Sequence, residues 1–126
     1  MEGRIMVSRQ DAARLRALLA SQQVQRVHDL EHVTQLESEL ERASIVERHA
    51  LPDDRVALHS TVQVRDLDSG ARRVYTLVLP SQADVTRGSI SILAPLGTAL
   101  LGYRAGDEVE WRMPGGPVRL TIEEVR

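Results

Sequence analysis

Residues 36–64, LESELERASIVERHALPDDRVALHSTVQV, decide the fold because the spacing of hydrophobic residues changes within them. On the N-terminal side, Leu36 and Leu40 belong to a series with steps of three and four, which is typical of a helix. On the C-terminal side, Val62 and Val64 alternate with polar residues, which is typical of a strand. The sequence therefore predicts a helical part followed by a β-rich part.

The change of spacing coincides with Pro52, which disfavours a helical conformation at the preceding residue and lacks an amide donor. We therefore predict a helical hairpin over residues 1–50, a hinge over 51–55 and a separate α+β domain over 56–126. A chain of 126 residues is long enough for one compact domain with a small appendage.

Two helices are expected in the N-terminal part. Ser8 and Asp11 have the spacing of a capping box, which places the start of the first helix near Arg9. The polar stretch 21–28 is interpreted as the turn of the hairpin, with Asp29 capping the second helix. Six charged residues are predicted to face solvent on the outer faces of that helix, which is expected to continue to about Ala50: Glu37, Glu39, Glu41, Arg42, Glu47 and Arg48.

Two hairpins and one short helix are expected in the C-terminal part. Alternating residues over 61–79 and 108–123 predict two antiparallel strand pairs, and Ile90 and Ile92 mark a further short strand. A short helix is predicted from Pro95 to Leu101, because Pro is tolerated in a first helical turn and Gly102 suits a left-handed helix end. These elements predict an antiparallel sheet with one face covered by the short helix.

Composition excludes several classes of function. The formal net charge is −2 and no Cys is present, so the sequence offers neither a basic footprint for nucleic acid nor a thiol nucleophile. Only three aromatic residues occur, Tyr75, Tyr103 and Trp111, which is too few for a base-stacking platform. No apolar run is long enough to cross a bilayer, and the N-terminus does not match a signal peptide. We therefore expect a soluble, cytoplasmic protein without direct sequence-specific binding to nucleic acid.

One pattern resembles a catalytic metal site. Residues 28–32, HDLEH, match the arrangement in which two His hold zinc and a Glu activates water. A third ligand is not identifiable, and an N-cap at Asp29 would place His28 outside the helix. His49 and His59 are expected at the surface. The pattern is interpreted as a coincidence, so we predict no metal and no cofactor.

No other catalytic arrangement is identifiable. Ser91 and Thr98 have no neighbouring His in the sequence that could activate them. Residues 114–117, PGGP, form a turn rather than a phosphate cradle, because proline removes the amides that a phosphate would need. The protein is therefore predicted not to be an enzyme.

A longer motif indicates a family. Residues 90–102, ISILAPLGTALLG, followed by 106–111, GDEVEW, and 114–116, PGG, resemble the C-terminal domain of the Gre transcript-cleavage factors. Residues 36–43, LESELERA, and the shortness of the helical hairpin make the chain similar to the Rnk group of that superfamily, the regulators of nucleoside diphosphate kinase. The resemblance implies a short antiparallel coiled coil followed by an FKBP-like α+β domain.

The resemblance also implies a partner and a docking site. Gre-type proteins bind RNA polymerase at the rim of its secondary channel and direct the coiled coil into the channel. The loop before the short helix contributes to docking in that family, and the matching positions here are Leu93, Ala94 and Pro95. The family has Ser before this Pro, so Ala94 removes a hydroxyl group from the contact.

The tip of the hairpin departs from the cleavage factors. Gre factors carry acidic tip residues that help to hold a catalytic magnesium ion of the polymerase, and the candidates here are Asp29 and Glu31. Two residues separated by two positions diverge by about 200° around a helix, so both do not readily face one ion. The resemblance therefore implies a polymerase-binding regulator that competes with Gre-type factors without stimulating cleavage.

Alternative functions stay open at this point. The chain could be a stand-alone interaction module of FKBP-like fold, a transcript-cleavage factor or a prolyl isomerase. The prolyl isomerase is the poorer match among these alternatives. Its proline pocket is lined by aromatic residues, and this sequence has no Phe. A fold alone does not carry a function. The protein is expected to be a monomer.

Overall fold

The computed structural model describes residues 5–21, 31–113 and 116–126. The α-helices in these ranges are α1 (Arg9–Leu19), α2 (Glu31–Arg42) and α3 (Pro95–Leu100). The strands are β1 (Met6–Ser8), β2 (Ser44–Val46), β3 (Thr61–Asp66), β4 (Arg72–Val78), β5 (Ser89–Ser91), β6 (Glu108–Met113) and β7 (Gly116–Val125). Single 3₁₀ turns occur at 48–50, 80–82 and 85–87. Within the described ranges, no helix is long and apolar enough to span a membrane.

The first helix begins where the sequence predicts. The Ser8 hydroxyl oxygen accepts a hydrogen bond from the Asp11 amide at 3.1 Å, which confirms Ser8 as the N-cap of α1. Residues 22–28 of the predicted turn and the predicted N-cap Asp29 lie outside the described residues. Both helices bury one apolar side, formed by Ala12, Leu15 and Leu19 in α1 and by Val33, Leu36 and Leu40 in α2.

The sequence analysis expected the N-terminal part to be helical up to about residue 50. The structure instead shows two short strands in this part. Strands β1 and β2 pair in parallel, with Met6 opposite Ser44 and Ser8 opposite Val46. This small sheet joins the start of α1 to the end of α2. Its strands are distant in the sequence, so the local spacing of hydrophobic residues could not reveal the pairing. The expectation of uninterrupted helix was wrong at residues 44–46, where β-branched Ile45 and Val46 favour a strand.

The second sheet has five strands in the order β5-β4-β3-β7-β6. Both predicted hairpins are confirmed, since β3 pairs with β4 and β6 pairs with β7 in antiparallel fashion. The expectation of a wholly antiparallel sheet was wrong, because β5 pairs with β4 in parallel. Alternation of polar and apolar residues predicts a strand but not its direction. That direction is set by the crossing connection through residues 79–88.

The hydrophobic core is shared by the two parts of the chain. Ile5 and Leu36 from the N-terminal part belong to the same buried cluster as Leu100 from α3 and Val62 and Ile122 from the sheet. Helix α3 packs against both α2 and β6. The chain therefore has a mixed α+β fold, as predicted, in which α3 packs against both α2 and the sheet.

One charged residue predicted to face solvent is buried. Glu39 in α2 is 9% exposed, and its Oε1 accepts a hydrogen bond from the Tyr103 hydroxyl at 3.2 Å. Glu37 is half-buried, whereas Glu41, Arg42, Glu47 and Arg48 are exposed as expected. The prediction failed at Glu39 because the segment after α3 covers that side of α2, which the sequence of α2 alone cannot show.

Glu123 on the outer face of the sheet should make stability depend on pH. Its Oε1 accepts hydrogen bonds from Gln63 Nε2 and Arg72 Nε, both at 3.0 Å. These bonds, chiefly that from Gln63, hold the pKa of Glu123 below its ordinary value of 4.5. A carboxyl whose pKa is lower in the folded state contributes stability above its unfolded pKa, and this contribution is lost as pH falls through the folded pKa.

The free energy of unfolding of the parent should decrease when the pH is lowered from about 7 to about 3. We expect this decrease to be smaller in Glu123→Gln. Urea unfolding at several pH values measures this effect. Glu110→Gln, at an exposed position of β6, is the control. Equal pH dependence in the parent and in Glu123→Gln would contradict the assignment.

Candidate functional site

The candidate docking segment, Leu93–Pro95, lies between β5 and α3 and is held by Ser91. The Ser91 hydroxyl oxygen accepts a hydrogen bond from the Leu93 amide at 3.0 Å. The Ser91 carbonyl oxygen accepts another from the Ala94 amide, also at 3.0 Å. Two consecutive amides are thus bound by one residue, which fixes the course of the backbone before the helix.

The start of α3 is defined by backbone geometry rather than by a capping side chain. Ala94 is the N-cap, and its methyl group cannot accept a hydrogen bond from an amide of the first turn. Pro95 follows as the first residue of the helix. The Ala94 carbonyl accepts from the Thr98 amide at 2.9 Å, and the Thr98 hydroxyl donates to the Pro95 carbonyl at 2.9 Å. The predicted short helix is confirmed, and Gly102 has the left-handed conformation expected after its end, with φ of 83°.

Gly97 brings α3 into direct contact with the end of β5. A Cβ atom at this position would lie 2.1 Å from the Ser91 carbonyl oxygen and 3.0 Å from Ile92 Cα. Only glycine allows this approach, because real Cβ atoms do not come so close to backbone. Ser91 and Gly97 therefore hold the docking segment from two sides, a role that the sequence pattern did not assign to Ser91.

The docking segment offers a small, neutral surface. Leu93, Ala94 and Pro95 are each half-buried, and Leu93 packs against the hydrophobic core. Leu93 therefore has a structural role in addition to any contact role. None of the three carries a titratable or nucleophilic side chain.

The second predicted site, at the tip of the hairpin, is only partly described. Asp29 lies outside the described residues, and Glu31 is the first residue of α2. The arrangement of the two tip residues therefore lies outside what the structure describes, and their role stays a prediction. Most of the zinc-like pattern at 28–32 also lies outside the described residues. Within the described ranges, no group of three or more His, Asp or Glu side chains could hold a metal ion.

A groove of about 100 Å³ lies on the inner face of the sheet, between β3, β4 and β7. Val64 and Leu120 contribute apolar surface, and Asp66 and Arg73 contribute charge. Among the described residues that line this groove, Tyr75 is the one aromatic residue. This lining differs from the aromatic proline pocket on which the isomerase alternative depends.

Two family models match consecutive parts of the chain. Residues 51–126 match the model described as transcription elongation factor GreA/GreB, C-terminal. Residues 4–46 match the model described as Rnk N-terminus. The first match contains the docking segment and α3, and the second contains α1 and α2.

Individual proteins give the same result. The chain is 42% identical over 81 residues to the regulator of nucleoside diphosphate kinase of Escherichia coli strain K12, which covers 64% of this chain and 60% of that protein. It is 40% identical over 87 residues to transcription elongation factor GreA of Desulfovibrio desulfuricans, which covers 69% of this chain and 54% of that protein. These matches span less than two thirds of either relative.

A solved structure matches over nearly the full length. The GreA/GreB transcription elongation factor from Nitrosomonas europaea is 41% identical, with a TM-score of 0.80 and 98% of each chain covered. The same arrangement of helices and sheet is therefore present in both chains. From the family models, the relatives and this structure together, the chain belongs to the GreA/GreB transcription elongation factor family, with an N-terminal part of the Rnk type.

Proposed function

We propose that the protein is a non-enzymatic transcription regulator that binds RNA polymerase at its secondary channel and competes there with Gre-type factors. In this proposal, residues 56–126 form an FKBP-like domain that docks through Leu93–Pro95. Residues 1–50 form a short antiparallel coiled coil that enters the channel. The protein acts as a monomer and needs no cofactor.

The observation that carries the proposal is the pairing of a GreA/GreB-type C-terminal part with a short pair of helices. The described helices α1 and α2 have 11 and 12 residues. At 1.5 Å per residue they extend about 16 Å and about 18 Å. Because both arms and their connection lie within residues 1–50, the proposed hairpin occupies the entrance of the channel and reaches less far than the long coiled coil of the Gre cleavage factors.

The tip sequence supports a lack of cleavage activity. Between Ser21 and His32 the acidic residues are Asp29 and Glu31. On a helix these positions point about 200° apart, which does not suit joint binding of one magnesium ion. The protein would therefore exclude other factors from the channel without supplying the metal-binding carboxylates.

We expect the protein to bind core RNA polymerase with no stimulation of cleavage in a backtracked complex. Binding is measured by fluorescence anisotropy, and cleavage by the shortening of a labelled transcript, with a Gre cleavage factor as the positive control. Addition of the protein to that control should slow cleavage through competition. Strong cleavage that disappears in Asp29→Ala with Glu31→Ala would contradict the proposal, as would failure to bind core polymerase.

Pro95→Ala tests the docking segment. Proline in a first helical turn is favourable but not essential, so the variant should lose about 1 kcal/mol or less of folding stability. If the segment is a contact, the apparent Kd for core polymerase should rise about tenfold, which corresponds to about 1.4 kcal/mol. Pro80→Ala, at an exposed proline in the 3₁₀ turn 80–82, is the control. Unchanged affinity in a folded Pro95→Ala variant would leave Leu93–Pro95 with a structural role alone.

A further inference from the structure

Helix α3 connects the docking segment to the junction with the N-terminal helices. Its first residue, Pro95, belongs to the docking segment, and Gly102 and Tyr103 follow directly after its last turn. The helix has six residues and extends about 9 Å. A contact that fixes Gly102 and Tyr103 therefore also sets how the N-terminal helices lie relative to the docking segment.

The first contact at this junction is the hydrogen bond between Tyr103 and Glu39. The Tyr103 hydroxyl donates to Glu39 Oε1 at 3.2 Å, and Glu39 is buried on the inner side of α2. A carboxyl group removed from water requires hydrogen-bond donors in defined directions. Apolar packing between α2 and α3 would tolerate small rotations, whereas this bond favours one orientation.

Further contacts attach the base of the hairpin. The Gly102 carbonyl oxygen accepts hydrogen bonds from the Met6 amide at 3.2 Å and from Arg55 Nη1 at 2.9 Å. At the other side of α1, Asp11 Oδ2 accepts from the Leu58 amide at 3.2 Å. These bonds hold the base of the hairpin near the sheet, and the bond at Glu39, three residues before the end of α2, adds a directional contact from α2 itself.

We propose that Tyr103 and Glu39 are positioning residues whose buried hydrogen bond fixes the direction of α1 and α2 relative to the docking segment. The inference rests on the proposed function for its consequence at the polymerase. A domain docked through Leu93–Pro95 would then aim the hairpin into the channel without reorientation. Loss of the bond would allow several directions, of which one fits the channel.

The absence of Cys allows a direct test by paired spin labels. Ser38 in α2 and Ser81 in the 3₁₀ turn 80–82 are exposed, so Ser38→Cys with Ser81→Cys gives two labelling sites on the full chain. Double electron–electron resonance should give one narrow distance distribution in this labelled parent. Tyr103→Phe should broaden it, whereas Tyr75→Phe, at the sheet groove, should leave it narrow.

Glu39 provides the graded comparison. Glu39→Gln retains an oxygen that accepts from Tyr103, so the distribution should broaden less than in Glu39→Ala. Thermal unfolding is followed in parallel, because a variant that is merely less stable keeps a narrow distribution while it is folded. A narrow, unshifted distribution in folded Tyr103→Phe would overturn the proposal.

Polymerase assays separate this inference from the proposed function. Tyr103→Phe should bind core polymerase about tenfold more weakly than the parent and compete correspondingly less well with a Gre factor, because only the fraction of the variant in the competent direction fits the channel. A broadened distribution with unchanged competition would overturn the positioning role. If the parent does not bind polymerase at all, the proposed function fails, while the label distances still decide whether the bond fixes the helices.

Discussion

Gly97→Ala should lower the free energy of unfolding by about 3 kcal/mol, a large effect for the addition of one methyl group. The new Cβ would lie 2.1 Å from the Ser91 carbonyl oxygen. Because the atom it meets is backbone, no side-chain rotation relieves the contact, and α3 must move away from β5. Alanine favours helix over glycine by about 1 kcal/mol, which is smaller than the cost of the displacement.

The displacement should also reach the docking segment, since Ser91 binds the amides of Leu93 and Ala94. Polymerase affinity should therefore fall even at temperatures where the variant is folded. Gly70→Ala is the control, because Gly70 has a positive φ of 77° but nothing within 4 Å of the added atom. The control should lose about 1 to 2 kcal/mol from backbone strain alone and keep its affinity. Equal stability losses in the two variants would contradict the packing argument.

Leu36→Ala should also cost about 3 kcal/mol, because it removes a fully buried side chain and leaves a cavity between α2 and α3. The more informative result is whether the loss of stability is observed in the sheet as well as in the N-terminal helices. The chain has one Trp, Trp111, which lies in β6 of the sheet. If the N-terminal helices and the sheet unfold as one unit, the substitution in α2 should shift the Trp111 fluorescence transition as much as the helical circular dichroism signal.

Gln35→Ala, at the neighbouring exposed position of α2, is the matched control and should change stability by less than about 0.5 kcal/mol. Urea unfolding followed by both probes provides the measurement. A Trp111 transition that stays in place while the helical signal melts early would show that the two parts unfold separately. It would also contradict the role of the shared core described above.

Local chemistry made much of this fold predictable. The Ser8 cap, the start of α3 at Pro95 and the left-handed Gly102 each depend on residues within a few positions, so their signals are complete in the sequence. The alternation in β3 and β7 likewise reports burial of one sheet face. A family motif in the sequence predicted the role of Leu93–Pro95 as a docking segment, and the backbone geometry of this segment is explained by Ser91, two positions before Leu93.

The features that the sequence analysis missed all depend on residues distant in the chain. The parallel pairing of β1 with β2 and of β4 with β5 depends on the path of connections, about which alternation carries no information. Glu39 was predicted to face solvent because charged residues on a helix are usually exposed. Its burial involves Tyr103, which lies 64 positions away in the sequence and contacts α2 only in the tertiary structure.

The sequence by itself determined the longer elements and the family, because helix caps, hydrophobic spacing and a contiguous motif act over short distances, whereas the short strands β1 and β2 were missed. The tertiary structure alone decided how the N-terminal helices join the rest of the chain. Ile5 against Gly102, and Glu39 against Tyr103, are contacts between surfaces that exist only after each part has formed. Burial and directional hydrogen bonding depend on those surfaces, so the direction of the helices follows from packing rather than from local sequence.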